Sequence, residues 1–366
     1  MTHATTVTAG PAGGPTRRVS RITPVSVFLW GLRIAIVAVI LYGSFLSISS
    51  GRLTASQWRD LLVFGISTGS VYSLIALGYT MVYGVLRFIN FAHGEVFMVG
   101  AMVAFYVANG LATTSLWVGS PVVSLLIVLI SAMVASTSVA VIVERVAYRP
   151  LRGAPRLIPL ITSIGASFTL QYLVRGLVGP STKAFPRMEP LRGTFDIFGL
   201  VILRSQVVVI VAALAMMGGL YLFVERTRTG KSMRAVSEDP ETAALMGIDV
   251  NGTIVRVFAV GGAMAGVAGA LWGLVFPSLN FFSGFLPGIK AFTSAVLGGI
   301  GNIVGAMLGG VSLGVFESVG PSLVLAGYEI PAFSQLKDVV AYAALVMVLI
   351  FRPTGILGER LAQERG

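Results

Sequence analysis

Along this chain apolar residues run in blocks of roughly 20, the length at which an α-helix crosses a hydrocarbon layer about 30 Å thick. The blocks predict spanning helices at about 25–48, 60–85, 89–109, 120–143, 157–178, 203–224, 253–276 and 336–351. The stretch around 286–320 is also apolar but rich in glycine, and it predicts two short helices broken near GGIGN at 298–302. Gly301, Gly305 and Gly309 recur every fourth residue, as do the pairs Gly262 with Gly266 and Gly269 with Gly273. That spacing places side-chain-free stripes where helix backbones can approach. The expected fold is all-α: a polytopic transmembrane helical bundle of about eight or nine membrane segments, including a Gly-rich broken helix pair.

The polar connections supply an orientation, because short loops rich in Lys and Arg stay cytoplasmic. Residues 144–156 carry four arginines and 225–252 carry four basic residues, whereas 110–119 carry none. The first two are read as cytoplasmic and the third as external. Residues 179–202 fall outside by parity, although they contain Lys183, Arg187 and Arg192. Parity also makes 286–320 start and finish externally. Non-helical backbone at membrane depth survives only where protein or a watery cavity satisfies it, so Gly298, Gly299, Gly301 and Asn302 become candidates for a transport pathway.

Both ends of the chain are expected to be cytoplasmic. Residues 1–24, rich in Thr, Ala, Gly and Pro and ending with three arginines, predict a disordered tail. Residues 25–55 predict a retained, signal-anchor-like span, with Arg33 snorkelling to the headgroups. Residues 359–366 form a second tail.

Composition narrows the function. Of 366 residues 55% are hydrophobic and only 11% charged, against about 25% charged in soluble domains, so no sizeable soluble domain fits. The net charge of +11 lies mostly in loops rather than on one basic face, and no nucleic acid is expected. With no cysteine, and His93 the only histidine besides His3, disulfides, cysteine nucleophiles and a metal site are excluded. GKS at 230–232 is not a phosphate loop, because the glycine required at 225 is Glu225. There is no Ser-His-Asp pattern, so an intramembrane enzyme would lack a nucleophile with its base. No cofactor and no catalytic residue are expected.

Two stretches carry candidate chemistry. In INFAHGE, Asn90 suits the N-cap of a helix beginning at Phe91, Glu95 sits near the positive end of its dipole, and Arg87 is placed to pair with Glu95. The functional reading of Asn90, His93 and Glu95 is that an ionisable group within a membrane segment is a site by default. In DPETAALMGIDV, Asp239 and Pro240 start a short amphipathic helix that Gly247 stops. Such a helix suits either the lipid headgroups or a soluble partner.

GYTMVYGVLRFINFAHGEVFMVGAMVAF, GKSMRAVSEDPETAALMGIDV, AFTSAVLGGIGNIVGAMLGGVSLGVFE and LIFRPTGILG together resemble the permease subunits of branched-chain amino acid importers of the ATP-binding cassette class. The resemblance covers roughly residues 57–358 and implies a permease domain at 56–358, with residues 1–55 extending beyond the usual start. It implies a complex with a second permease subunit, two cytoplasmic ATP-binding subunits and an external solute-binding protein, in the inner membrane of a prokaryote. Glu241, Ala243 and Gly247 look like the E-x-A-x-x-x-G of the family's coupling loop, with Thr242 replacing the usual alanine; Arg234, Glu238 and Asp239 join them as ATPase-coupling candidates. Phe91 favours the amino acid branch over urea and amide permeases of the same family. The rival from another class is an ion-coupled carrier with His93 and Glu95 as a proton relay.

Overall fold

The computed structural model describes residues 24–155, 157–197, 200–330, 332–352 and 354–358. The expected tails at 1–24 and 359–366 lie outside the described residues, save for Pro24, which opens the first helix. The helices run in the order α1 (Pro24–Ser49), α2 (Ala55–Leu86), α3 (His93–Ala112), α4 (Leu116–Gly119), α5 (Pro121–Val143) and α6 (Leu157–Val178). They continue with α7 (Arg204–Arg226), α8 (Arg228–Glu238), α9 (Pro240–Leu245), α10 (Val250–Val275), α11 (Phe285–Gly298), α12 (Ile303–Gly320) and α13 (Lys337–Phe351). Nine helices among the described residues are long and apolar enough to cross a membrane.

The core is built around α2 and α10, each with 72% of its most apolar stretch buried, against 28% for α5, α6 and α7. Those three present Ile127, Ile161, Leu177 and Leu214 outward, as helices facing lipid do. Polar capping starts α2: the Thr54 hydroxyl accepts from Gln57 N–H while the Gln57 side chain accepts from Thr54 N–H. Small residues then let α2 close on α12. A Cβ on Gly69 would fall 2.8 Å from the Gly310 carbonyl oxygen, and one on Gly314 would fall 2.4 Å from that of Gly65. Gly262 and Gly266 meet α5, and Gly269 meets α3, in the same way. Backbone contact of this kind is how apolar helices associate when lipid is as apolar as they are.

The segment at 286–320 differs from its expected form. Only α11 is short, at 14 residues; α12 continues through a π-helical turn at Pro321–Leu325 and a 3-10 turn at Ala326–Tyr328, giving a 26-residue apolar run. The wider turn lets the helix pass Pro321, whose missing N–H would otherwise end it. The break at 299–302 sits at the end of the bundle that carries α8 and α9, here called the loop end: Gly301 lines one cavity with Arg234 and Ser237. There the segment after α13 supplies the donors that the end of α11 lacks. Ile356 N–H donates to Leu297 O at 2.8 Å and Leu357 N–H to Gly298 O at 3.0 Å. Gly299, at φ +105°, has no room for a side chain, since a Cβ would fall 2.4 Å from Gly358 N.

At the opposite end, residues 179–203 make a small excursion. Its β1 (Lys183–Ala184) pairs antiparallel with β4 (Ser278–Leu279), and β2 (Thr194–Ile197) pairs with β3 (Leu200–Leu203). The first helix lies at the periphery, along the end of α12. Tyr328 Oη donates to Val39 O at 2.8 Å and Gly327 N–H to Ser47 Oγ at 2.8 Å. Within the protein, Arg33 donates from its guanidinium to Ile350 O at 2.9 Å and stacks on Trp30 and Phe351. A cation at the C-terminal turn of α13 offsets the carbonyls exposed there.

Candidate functional site

After Leu86 the chain turns through Arg87, at φ 56°, and runs without helix to His93, where α3 begins inside the bundle rather than at its rim. The His93 ring lies against Gly78, eight residues before the end of α2, and near Gly261, eleven residues into α10. At 1.5 Å per residue these positions are roughly 12 and 16 Å from the loop end. Gly78 is where that insertion is permitted, because a Cβ would fall 2.1 Å from His93 Nε2. Tyr79 closes the other side of the ring edge-on, at 4.9 Å.

Glu95 leaves α3 on a different side, toward α6 and α11, and is 1% exposed. Its Oε1 accepts from Gln171 Nε2 at 2.6 Å and Ser167 Oγ at 3.3 Å. Its Oε2 has no hydrogen-bond partner among the described residues. Beside it opens a pocket of about 280 Å³ walled by Gly94, Gly284 and Gly288 and by the apolar side chains of Phe91, Ile164, Phe168, Phe285 and Ile289.

Two local expectations are corrected. Arg87 does not pair with Glu95; its Nη2 donates to Ser237 O at 2.7 Å, tying the end of α2 to α8. Asn90 is not an N-cap, since α3 starts at His93 after Ala92. Its Oδ1 accepts instead from the buried Tyr148 hydroxyl at 2.5 Å, a partner that a buried phenol requires. Nor does the structure bring Gly298, Gly299, Gly301 and Asn302 to Glu95. They lie at the far end of α11, where Asn302 Oδ1 caps α12 through Gly305 N–H at 2.8 Å and Nδ2 donates to Leu357 O.

The loop-end helix α9 forms as its sequence predicts. Asp239 caps it by accepting from the N–H groups of Glu241 and Thr242, and Gly247 stops it at φ +83°. Arg234 pairs with Glu225 at 2.5 Å. Ala243 is buried against its own chain, and what the helix presents outward is Leu245, 88% exposed, and Met246, 78% exposed.

Sequence reasoning missed two polar features. On α6, Ser163, Ser167 and Gln171 are buried at intervals of four, a polar stripe on one helix face that was open to notice. Lys290 of α11 is buried with Glu317 at 2.8 Å and Asp338 at 2.7 Å, and Glu317 also accepts from Tyr72 Oη at 2.9 Å. A lone lysine in an apolar run was the available signal.

Membrane-length helices around an apolar, glycine-walled pocket with one buried carboxylate define a polytopic integral membrane protein. Comparison with known proteins narrows this: the chain belongs to the family described as branched-chain amino acid transport system / permease component, which matches residues 61–349. It is 45% identical over 306 residues to the high-affinity branched-chain amino acid transport system permease protein BraD of Pseudomonas aeruginosa, covering 83% of this chain and 96% of that one. To LivH of the same description from Salmonella typhimurium it is 41% identical over 300 residues, 81% of this chain and 94% of the relative. Among solved structures, PsaBC from Streptococcus pneumoniae with a bound Fab gives a TM-score of 0.42 at 14% identity, over 84% of this chain and 96% of its own; so slight a likeness carries no argument.

Proposed function

We propose that this chain forms half of the membrane pathway of an ATP-binding cassette importer that carries branched-chain amino acids inward. Kinship supplies the substrate class, since the relatives are named for it, and Phe91 in NFAHGE agrees with the amino acid branch. The observation that supports an external drive is the Leu245 and Met246 pair. These large apolar side chains stand exposed on a firmly capped helix outside the spans, where such a patch marks an interaction surface. Its occupant in this reading is a cytoplasmic ATP-binding subunit, with Glu238, Asp239, Glu241, Ala243 and Gly247 shaping the helix and Arg234 steadying α8 behind it.

The assembly comprises a second permease subunit, two ATP-binding subunits and an external solute-binding protein. Hydrolysis belongs to the ATP-binding subunits, whose closure must favour one permease conformation over another to move it. The loop end and both termini then face the cytoplasm of a prokaryote, and residues 56–358 form the permease domain behind the additional anchor at 25–55. A proton relay through His93 and Glu95 has less support, because the two side chains leave α3 toward different neighbours, two residues apart, and do not face each other.

Uptake by the complex in proteoliposomes tests this. Leucine should accumulate with ATP and loaded binding protein, and an ion gradient without ATP should drive none. Accumulation driven by the gradient alone would refute the reading.

A further inference from the structure

Resting on the import reading above, we infer that Glu95 is a recognition point for the α-ammonium group of the amino acid in transit, with the apolar wall of the same pocket taking its side chain.

The geometry carries this in three steps. First, both donors available to the Glu95 carboxylate, Gln171 and Ser167, converge on Oε1, whereas Oε2 accepts nothing among the described residues although it is buried. A carboxylate has about four acceptor sites, and leaving one of its oxygens dry and unpaired is costly. The carboxylate is satisfied at one oxygen and unpaired at the other.

Second, the basic residues Arg87, Lys290 and Arg175, on or beside the elements around the pocket, are engaged elsewhere. Arg87 is held by Ser237 at the loop end, Lys290 is engaged by Glu317 and Asp338, and Arg175, one turn beyond Gln171, stacks on Tyr172 and Phe281. A cation that completes the site therefore arrives from elsewhere. Third, glycine is what lets the start of α11 approach the carboxylate: a Cβ on Gly284 would fall 2.8 Å from Oε2, 2.8 Å from Met98 Cβ and 2.4 Å from the Gly94 carbonyl oxygen. The pocket that Glu95 lines beside this contact is bounded by Gly94, Gly284 and Gly288 on one side and by Phe91, Ile164, Phe168, Phe285 and Ile289 on the other. An ammonium carries three donors and no acceptor; joined to a branched hydrocarbon tail it matches both surfaces, whereas a hydrated metal ion or a proton matches only the first.

The test uses the cysteine-free chain with one reporter, Ile164→Cys, in the assembled complex, read by the rate of maleimide labelling. 3-Methylbutan-1-amine, which has the tail and the ammonium but no carboxylate, should slow labelling by about tenfold or more at saturation. 4-Methylpentanoate, with the tail and a carboxylate but no ammonium, should not. Adding Glu95→Gln should abolish the protection by the amine, and Glu95→Asp should retain part of it. Equal protection by acid and amine, protection by neither, or undiminished protection in Glu95→Gln would each overturn the assignment. The comparison of amine with acid needs no change at residue 95, so it decides even if Glu95→Gln fails to assemble. The import reading fails separately, if the wild-type complex shows no ATP-driven leucine uptake while the amine still protects.

Discussion

The Tyr148 hydroxyl donates to Asn90 Oδ1 at 2.5 Å, both residues being buried, and so ties the π-helical turn that follows α5 (Glu144–Tyr148) to the non-helical segment that delivers α3 to mid-depth. Tyr148→Phe removes the donor and leaves a buried amide oxygen unpaired, which costs about 1–3 kcal/mol. The thermal midpoint of the purified protein should fall accordingly. Adding Asn90→Leu should cost less than the sum of the two single changes; strict additivity would show that the bond does not couple them.

The Lys290 cluster predicts a larger effect. Lys290→Met removes the cation between Glu317 and Asp338 and leaves Glu317 only the more distant, half-exposed Lys337 at 3.8 Å; breaking a buried ion pair costs about 3–5 kcal/mol, and that residual partner places the expected loss toward the lower end. Glu317→Gln in the same chain should recover part of the loss. If Lys290→Met alone leaves thermal stability unchanged, the cluster is not a structural tie between α11, α12 and α13.

Backbone contact between α2 and α12 makes Gly69→Val a test of packing. With the α12 backbone 2.8 Å from the added Cβ, the helices must separate, at a cost of about 1–3 kcal/mol or more. The change should lower yield and thermal midpoint, whereas Gly110→Val, at a position with open space around it, should do neither.

For the proposed docking helix, Leu245→Asp should reduce co-purification of the ATP-binding subunits at least about tenfold with the thermal midpoint of the isolated permease unchanged, because the side chain touches little of its own chain. Glu241→Ala combined with Gly247→Arg should have the same outcome through the shape of α9. Full retention of the subunits in both variants would remove this helix from the interface.

The cap of α9 predicts a pH dependence. Hydrogen bonds from the Thr242 hydroxyl, above all, and from the N–H groups of Thr242 and Glu241 hold the Asp239 carboxyl below its ordinary value. A group whose pKa is lowered on folding contributes stability that is fully present above its unfolded value and is lost as pH falls through the folded one. Hydrogen-exchange protection of the α9 amides should therefore be level from neutral pH down to about 5 and drop only in acid. Asp239→Asn should keep protection while removing that drop.

Much of this fold is legible in the chain because lipid imposes a single rule, a long apolar run, and α5, α6, α7 and α13 answer it nearly residue for residue, while α2, α3 and α10 answer it with ends displaced by a few residues. The α9 helix is legible for a different reason: Asp239, Pro240 and Gly247 act locally. What escaped was long-range pairing. Arg87 and Glu95 are eight residues apart and look like partners, yet the non-helical run between them spends that length climbing from the loop end to mid-depth. Lys290, Glu317 and Asp338 are separated by tens of residues, and only the folded bundle makes them neighbours. The break at 298–302 looked like a membrane-depth feature because its glycines were counted without the segment at 355–358 that covers them.

The placement of α11 has a mechanical consequence. A rigid rod about 20 Å long, it is gripped at one tip by the stretch that follows the final span and rests with the other against the chamber beside Glu95. A pull on residues 355–358 would carry the rod with it and so shift the chamber's wall at its other tip.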